Sequence, residues 1–334
     1  MITALLFILM MMVIIIPHEF GHFIIAKMCK VQVNEFSVGV GPRLFFFKRG
    51  ETEYSLRLIP FGGFCAMEGE DDKTENPRAF NNKKPSEKIA ILIAGSTMNV
   101  VVAILCITIA LMISGVPSKT IKTVVENSPA AEAGFQVGDE VVSVNDKKLE
   151  KWTDFTGTIS SYNNDGKLEI GIERDGKART IFVEPQYSET DERYVIGIVS
   201  ESTRNPYVCM SYGLDRTLEL NKAILQSFVM LVKGDVGVKD ISGPVGMVKI
   251  VDDARSYGVE TVLTIFGLIS LNLAVFNMFP IPGLDGGRIF FVLLRMITGD
   301  SITDSVEGII HMVGIFLLFG LMIVVTFNDV FKLF

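Results

Sequence analysis

The residues best spaced to do chemistry are Pro17-His18-Glu19-Phe20-Gly21-His22. Histidines four apart stand one turn apart on the same helix face, so both imidazoles reach one metal ion. Glu19, beside the first of them, reaches a water on that ion and can take its proton. H-E-x-x-H in this arrangement is the pattern of zinc hydrolases. The chain has only three histidines and places two of them in this turn. The turn closes a long apolar run, an expensive place for charge and therefore a functional one.

The elements that must position this turn are membrane spans. The 334 residues are 49% hydrophobic, with mean hydropathy +0.41. Four stretches reach the roughly 20 residues a bilayer crossing needs: Ile2 to Ile25, Ile89 to Ile113, Val259 to Phe279 and Gly308 to Phe327. The first lacks a basic start and a small-residue cleavage site, so it reads as a retained span. The net charge of −7 and the lack of a basic stripe exclude nucleic acid as a partner. Cys29, Cys65, Cys106 and Cys209 share no C-x-x-C spacing, so neither a disulfide framework nor a cysteine zinc site is indicated. Lysines and arginines crowd the segment between spans one and two, which makes it cytoplasmic. Both termini and the region from about 115 to 258 are then extracytoplasmic. His18 falls about 24 Å into span one, towards the cytoplasmic side. Pro17 is expected to kink the helix just before the site.

A catalytic zinc takes three protein ligands, and the first span offers two. Spans one and three run in the same direction, so their C-terminal ends lie at similar depth. Span three ends in Asn277-Met278-Phe279-Pro280-Ile281-Pro282-Gly283-Leu284-Asp285-Gly286-Gly287. Asp285 is the carboxylate this broken segment brings to the depth of His18 and His22. Asn277 can hydrogen-bond a substrate backbone. Asn272 reads either as a second such group or as interhelical glue, and Asn99 in span two reads the same way. His311 in span four reads as a packed polar residue.

Two further regions stand apart. Val31 to Val40 and Thr52 to Ile59 alternate like strands, followed by the turn Pro60-Phe61-Gly62-Gly63-Phe64. An edge strand at Gly62-Gly63 would hold a substrate extended by β-addition, because a helix shields its own peptide bonds. Residues 116 to about 200 hold short β-branched runs around Ser128-Pro129-Ala130-Ala131-Glu132-Ala133-Gly134-Phe135-Gln136-Val137-Gly138-Asp139. That string starts a helix capped by Ser128 with Pro129 at its first position. It resembles the signature of PDZ domains in bacterial membrane-associated proteases.

Taken together, His-Glu-Phe-Gly-His in span one, one PDZ-like region, and Asn-x-x-Pro-x-Pro-x-Leu-Asp-Gly-Gly in span three resemble the bacterial site-2 protease family of intramembrane zinc metalloproteases. The resemblance covers essentially the whole chain. It implies His18, His22 and Asp285 as Zn2+ ligands, Glu19 as catalytic base and Asn277 as a substrate-positioning residue. It also implies Gly62 and Gly63 in a membrane-re-entrant hairpin. Its substrates would be single-span membrane proteins already trimmed by a site-1-type protease, such as anti-sigma factors, and remnant signal peptides. Gly95-Ser96-Thr97-Met98-Asn99 departs from the Gly-Pro that the family tends to place before the asparagine. The expected fold is a polytopic α-helical membrane protein of four transmembrane helices, with a cytoplasmic-side re-entrant β-hairpin and an inserted extracytoplasmic PDZ domain. Its expected divisions are helix 1 (1–28), hairpin region (29–88), helix 2 (89–114), PDZ domain (115–200), amphipathic connector (201–258), helix 3 with the broken motif (259–290), and connector with helix 4 (291–334). It would sit in the bacterial plasma membrane with the site towards the cytoplasm. A catalytically inactive binding relative would lack Glu19 or a ligand, and a metal-dependent transporter would spread polar residues along several spans.

Overall fold

The computed structural model describes residues 2–70, 74–163, 166–235, 243–299 and 304–331. In chain order the elements are α1 (Ile2–Met28), β1 (Val33–Arg49), β2 (Thr52–Met67), α2 (Pro85–Ser114), β3 (Val116–Val124), α3 (Pro129–Ala133), β4 (Glu140–Val144), β5 (Lys147–Lys148) and α4 (Trp152–Ser160). They continue through β6 (Leu168–Arg174), β7 (Lys177–Val183), β8 (Gln186–Ser188), β9 (Arg193–Val195), β10 (Ile198–Thr203), α5 (Pro206–Lys233), α6 (Pro244–Ser256), α7 (Val259–Asn277), α8 (Asp285–Thr298) and α9 (Asp304–Phe331). Two compact units divide the chain: Met1–Ala110 with Gly213–Phe334, and Leu111–Tyr212 between them in sequence.

In the first unit, Leu5–Met28, Pro85–Ser114, Val259–Asn277 and Val306–Phe331 are long and apolar enough to cross a membrane. These are the four stretches read from the sequence. α1 runs helical through Pro17 without a break. Phe7, Met10 and Ile14 of α1 bury with Cys106 of α2, Val251 of α6 and Phe266 of α7. The outer faces of α9 and α1 carry exposed leucine, isoleucine and phenylalanine, as surfaces solvated by lipid do. α7 stops at Asn277 and α8 starts at Asp285, so the expected broken third span is two helices joined by a short irregular loop. Phe228 of α5 stacks on Phe279 of that loop, ring centres 4.0 Å apart.

β1 and β2 form more than a hairpin. Val33–Val38 pairs on one flank with Glu53–Leu56 and on the other with Gly63–Met67, while the far half of β1 pairs outside Thr52–Arg57. Gly63–Met67 is therefore an outer arm of the sheet. The turn between the strands is tied to the rest: Glu51 accepts from Lys27 Nζ at 2.6 Å and from both terminal nitrogens of Arg78 at 2.7 Å. The Arg78 and Lys27 bonds hold the Glu51 carboxyl down to about 2.

The second unit is an antiparallel sheet in the order β10-β3-β4-β6-β7, with β5 beside β4 and β8 paired to β9. Its core is Ile121, Phe135, Val141, Ile170 and Ile172 with Trp152 and Phe155 of α4. Ser128 caps α3, its Oγ accepting from the Ala131 amide at 3.3 Å, and Gly134 ends the helix at φ +89°. Asp139 is fully buried and accepts from Arg174 Nε at 2.6 Å, Arg174 Nη2 at 2.7 Å and the Gln136 amide at 2.8 Å. The Gly-Asp step read from the sequence is thus the anchor of this unit's main loop.

Candidate metal centre

The site is where α1, α2 and the α7–α8 loop converge. Gly21 lets α1 lie against the α2 backbone, since any Cβ there would strike the Ala94 carbonyl. At the next residue of α2, Gly95 leaves room for the rings: a Cβ there would run into His22 Nε2 and stand 2.7 Å from His18 Cε1. Both imidazoles are buried, at 7% and 6% exposure.

Three ligand atoms form a nearly equilateral triangle. His18 Nε2 and His22 Nε2 are 3.2 Å apart, and Asp285 Oδ2 lies 3.3 Å and 3.4 Å from them. Asp285 Oδ2 is buried without a hydrogen-bond partner. His22 Nδ1 donates to the Ile91 carbonyl at 2.8 Å, which leaves its Nε2 as a bare lone pair facing inward. Three electron-rich atoms thus face one point, an arrangement that a cation stabilises. A tetrahedral zinc with ligands at about 2.0–2.1 Å needs ligand–ligand edges of about 3.3–3.4 Å. The residues fit zinc.

The surroundings orient these atoms. Asn99, fully buried on α2, has its amide 3.3 Å from His18 Nδ1, and its Oδ1 has no hydrogen-bond partner. Turning Oδ1 towards Nδ1–H satisfies both groups and leaves His18 Nε2 free to bind metal. Ser270 Oγ of α7 donates to the Asn99 carbonyl at 2.9 Å, joining α2 to the helix that carries Asn277. Asn277 Nδ2 lies 3.3 Å from His18 Nε2, at the edge of the triangle. Glu19 stands on the sheet side: a Cβ at Gly63 would be 3.3 Å from Glu19 Cγ. The outer arm Gly63–Met67 therefore runs past the carboxylate, with Gly62, at φ +111°, setting the bend that delivers it. Arg288 of α8 pairs with Glu70 just beyond the same arm.

Of the residues read from the sequence, His18, Glu19, His22, Asn277, Asp285 and Gly63 come together. Asn272 does not: five residues before Asn277, it points about 140° around the helix from it. The residues missed were Ser270 and the Ile91 carbonyl. Gly95 was read from the sequence only as part of the Gly95–Asn99 run, with nothing to link it to the imidazoles.

The chain matches Peptidase family M50 over residues 6–321. A Clostridium acetobutylicum protein is 37% identical over 320 residues, covering 95% of this chain and 94% of its own. Zinc metalloprotease RasP of Oceanobacillus iheyensis is 30% identical, covering all of both chains. The regulator of sigma-W protease RasP of Bacillus subtilis is 27% identical over 99% of both. A PDZ domain from a Listeria monocytogenes SdrC-like protein covers 25% of this chain and 88% of its own at 16% identity, with a TM-score of 0.23 that decides nothing about the fold. With the match running from the first span to the last, the chain belongs to Peptidase family M50 and is a zinc-dependent intramembrane protease of the site-2 type.

Proposed function

We propose that His18, His22 and Asp285 hold the zinc, that Glu19 is the catalytic base and acid, and that the substrates are single-span membrane proteins trimmed beforehand on the outer side. The triangle of 3.2, 3.3 and 3.4 Å beside Glu19 carries this reading. Bound zinc supplies Lewis acidity, lowering the pKa of water towards about 7 and polarising a peptide carbonyl. Glu19 takes the proton from the attacking water and returns it to the leaving nitrogen. Asn277 orients the substrate backbone. The outer arm Gly63–Met67 pairs with a substrate strand and holds the scissile bond extended beside Glu19. The buried setting strengthens each of these polar contacts.

Residues 115–200 act as a PDZ domain outside the membrane, capturing the new C-terminus of a trimmed substrate or filtering substrates by size. The antiparallel sheet and the capped α3 with its buried Asp139 support the PDZ reading. The sigma-W regulator among the relatives makes anti-sigma factors a fitting substrate class. The basic segment between the first two spans supports a cytoplasmic-side site with both termini outside.

Glu19→Gln is the direct test, on purified protein with a single-span substrate. Cleavage falls by about 10²–10⁴-fold, the usual weight of general acid–base catalysis, while zinc content is unchanged. Cleavage at the wild-type rate removes Glu19 from the chemistry.

A further inference from the structure

The loop between α7 and α8 presents Asn277 at one end and Asp285 at the other, and its backbone cannot be left unbonded inside a membrane protein. Its amide donors can be followed one by one. Met278 donates to Val275, Phe279 to Phe276, Ile281 to Phe279 and Leu284 to Ile281, all local. Pro280 and Pro282 have no N–H. The remaining donor, Gly283, reaches another span: its N–H donates to His311 Nδ1 of α9 at 2.8 Å.

His311 is buried, and an Nδ1 that accepts must carry its proton on Nε2. Nε2 faces Glu307 Oε1 one turn earlier on α9, at 3.6 Å. Glu307 Oε2 is in turn 2.5 Å from Arg295 Nη2, in the last turn of α8. The circuit Arg295–Glu307–His311–Gly283 therefore ties both ends of α8 to α9. Contact is close along it: a Cβ on Gly314 would strike the Pro282 carbonyl, and one on Gly283 would lie 2.9 Å from Ile315 Cγ1. Gly283 holds φ +95°, a conformation the loop does not keep unaided with an ordinary residue.

We infer that His311, backed by Glu307 and Arg295, is a positioning residue that fixes the α7–α8 loop and so places Asp285 against His18 and His22. The inference rests on Asp285 being a ligand, and the test separates the two. The experiment uses full-length protein in detergent micelles, with Asp285→Ala, His311→Ala, His311→Gln and Glu307→Ala. Zinc affinity is read by chelator competition, and hydrogen–deuterium exchange of the 278–284 peptide is read in metal-free protein. His311→Ala is expected to bind zinc about tenfold more weakly, at the low end of the range for groups behind a ligand. Exchange of the loop rises even without metal. His311→Gln, whose amide oxygen can still accept from Gly283, recovers most of both, and Glu307→Ala shows a smaller loss of each. Unchanged zinc affinity in Asp285→Ala overturns the ligand assignment itself. A loss in Asp285→Ala with none in His311→Ala overturns only the role of His311. Equal loss in His311→Ala and His311→Gln also overturns it, because that is the mark of packing and not of the acceptor.

Discussion

Gly95→Ala sets two effects of opposite sign against each other in one methyl group. In an isolated helix the change is favourable, by about 0.5–1 kcal/mol. In this protein the new Cβ stands 2.7 Å from His18 Cε1 and closer still to His22 Nε2. Carbon contacts settle near about 3.5 Å, so the rings retreat by about 0.8 Å or α1 moves off α2 by as much. Metal sites tolerate ligand shifts of only about 0.2 Å. A misplacement near 1 Å costs catalysis about 10²-fold, equivalent to about 2.7 kcal/mol. The expected variant folds and inserts normally, with a melting temperature in metal-free form equal to or above the wild type. It binds zinc at least tenfold more weakly by chelator competition and cleaves a single-span substrate about 10²-fold more slowly. Gly320→Ala is the control, since a Cβ there meets nothing within 4 Å in the same class of apolar helix, and it leaves zinc binding unchanged. Zinc affinity of Gly95→Ala within threefold of wild type would refute the idea that the glycine exists to admit the imidazoles.

Two more outcomes follow from other parts of the molecule. Successive N–H groups on a strand point to opposite sides, and the Cys65 amide is the one turned to the Glu19 carboxylate, so Cys65→Pro removes a donor from the outer edge and Ala66→Pro one from the ladder with β1. The edge variant keeps its zinc and its sheet but loses cleavage; if both variants cleave normally, substrate does not pair with this arm. In the second unit, burial alone would raise the Asp139 carboxyl, but the Arg174 and Gln136 bonds outweigh it and hold the group below the ordinary aspartate range. A depressed folded-state value means the stabilisation is complete above the unfolded pKa of about 3.9 and is lost as pH falls through the folded one. Asp139→Asn should therefore destabilise this unit by about 1.5–3 kcal/mol at neutral pH and blunt its loss of stability below about pH 4, followed by hydrogen exchange of residues 135–145.

The groups around the proposed metal site were the most legible part of the chain, because the chemistry proposed for them would dictate both type and spacing. His18 and His22 announce themselves four apart, and Asp285 follows from the parity of the crossings. Ser128-Pro129 and Gly134 mark α3 through local backbone preferences, which act within a few residues. What was not legible depends on pairs of elements. Val33–Val38 alternates as any strand does, and nothing in that alternation tells that two arms of β2 will flank it. The Ile91 carbonyl is backbone and carries no sequence signal. His311 read as a packed polar residue, since its use lies in the one amide donor that a distant loop leaves over. Gly95 is needed only because two rings 73 and 77 residues earlier in the chain come to lie over it.

The order in which the triangle is assembled along the chain has a consequence for biosynthesis. His18, Glu19 and His22 emerge from the ribosome first, and Asp285 follows only after 262 further residues, including the whole second unit. Until then the nascent chain offers two imidazoles, which grip zinc far less tightly than three ligands, and Asn277 is also still unmade. On the proposed ligand set, the hydrolase stays inert while it is being threaded into the bilayer. Its own segments, apolar and transiently unpaired, are not exposed to a finished protease in the same polypeptide until the last third has been inserted and α9 has closed on the loop.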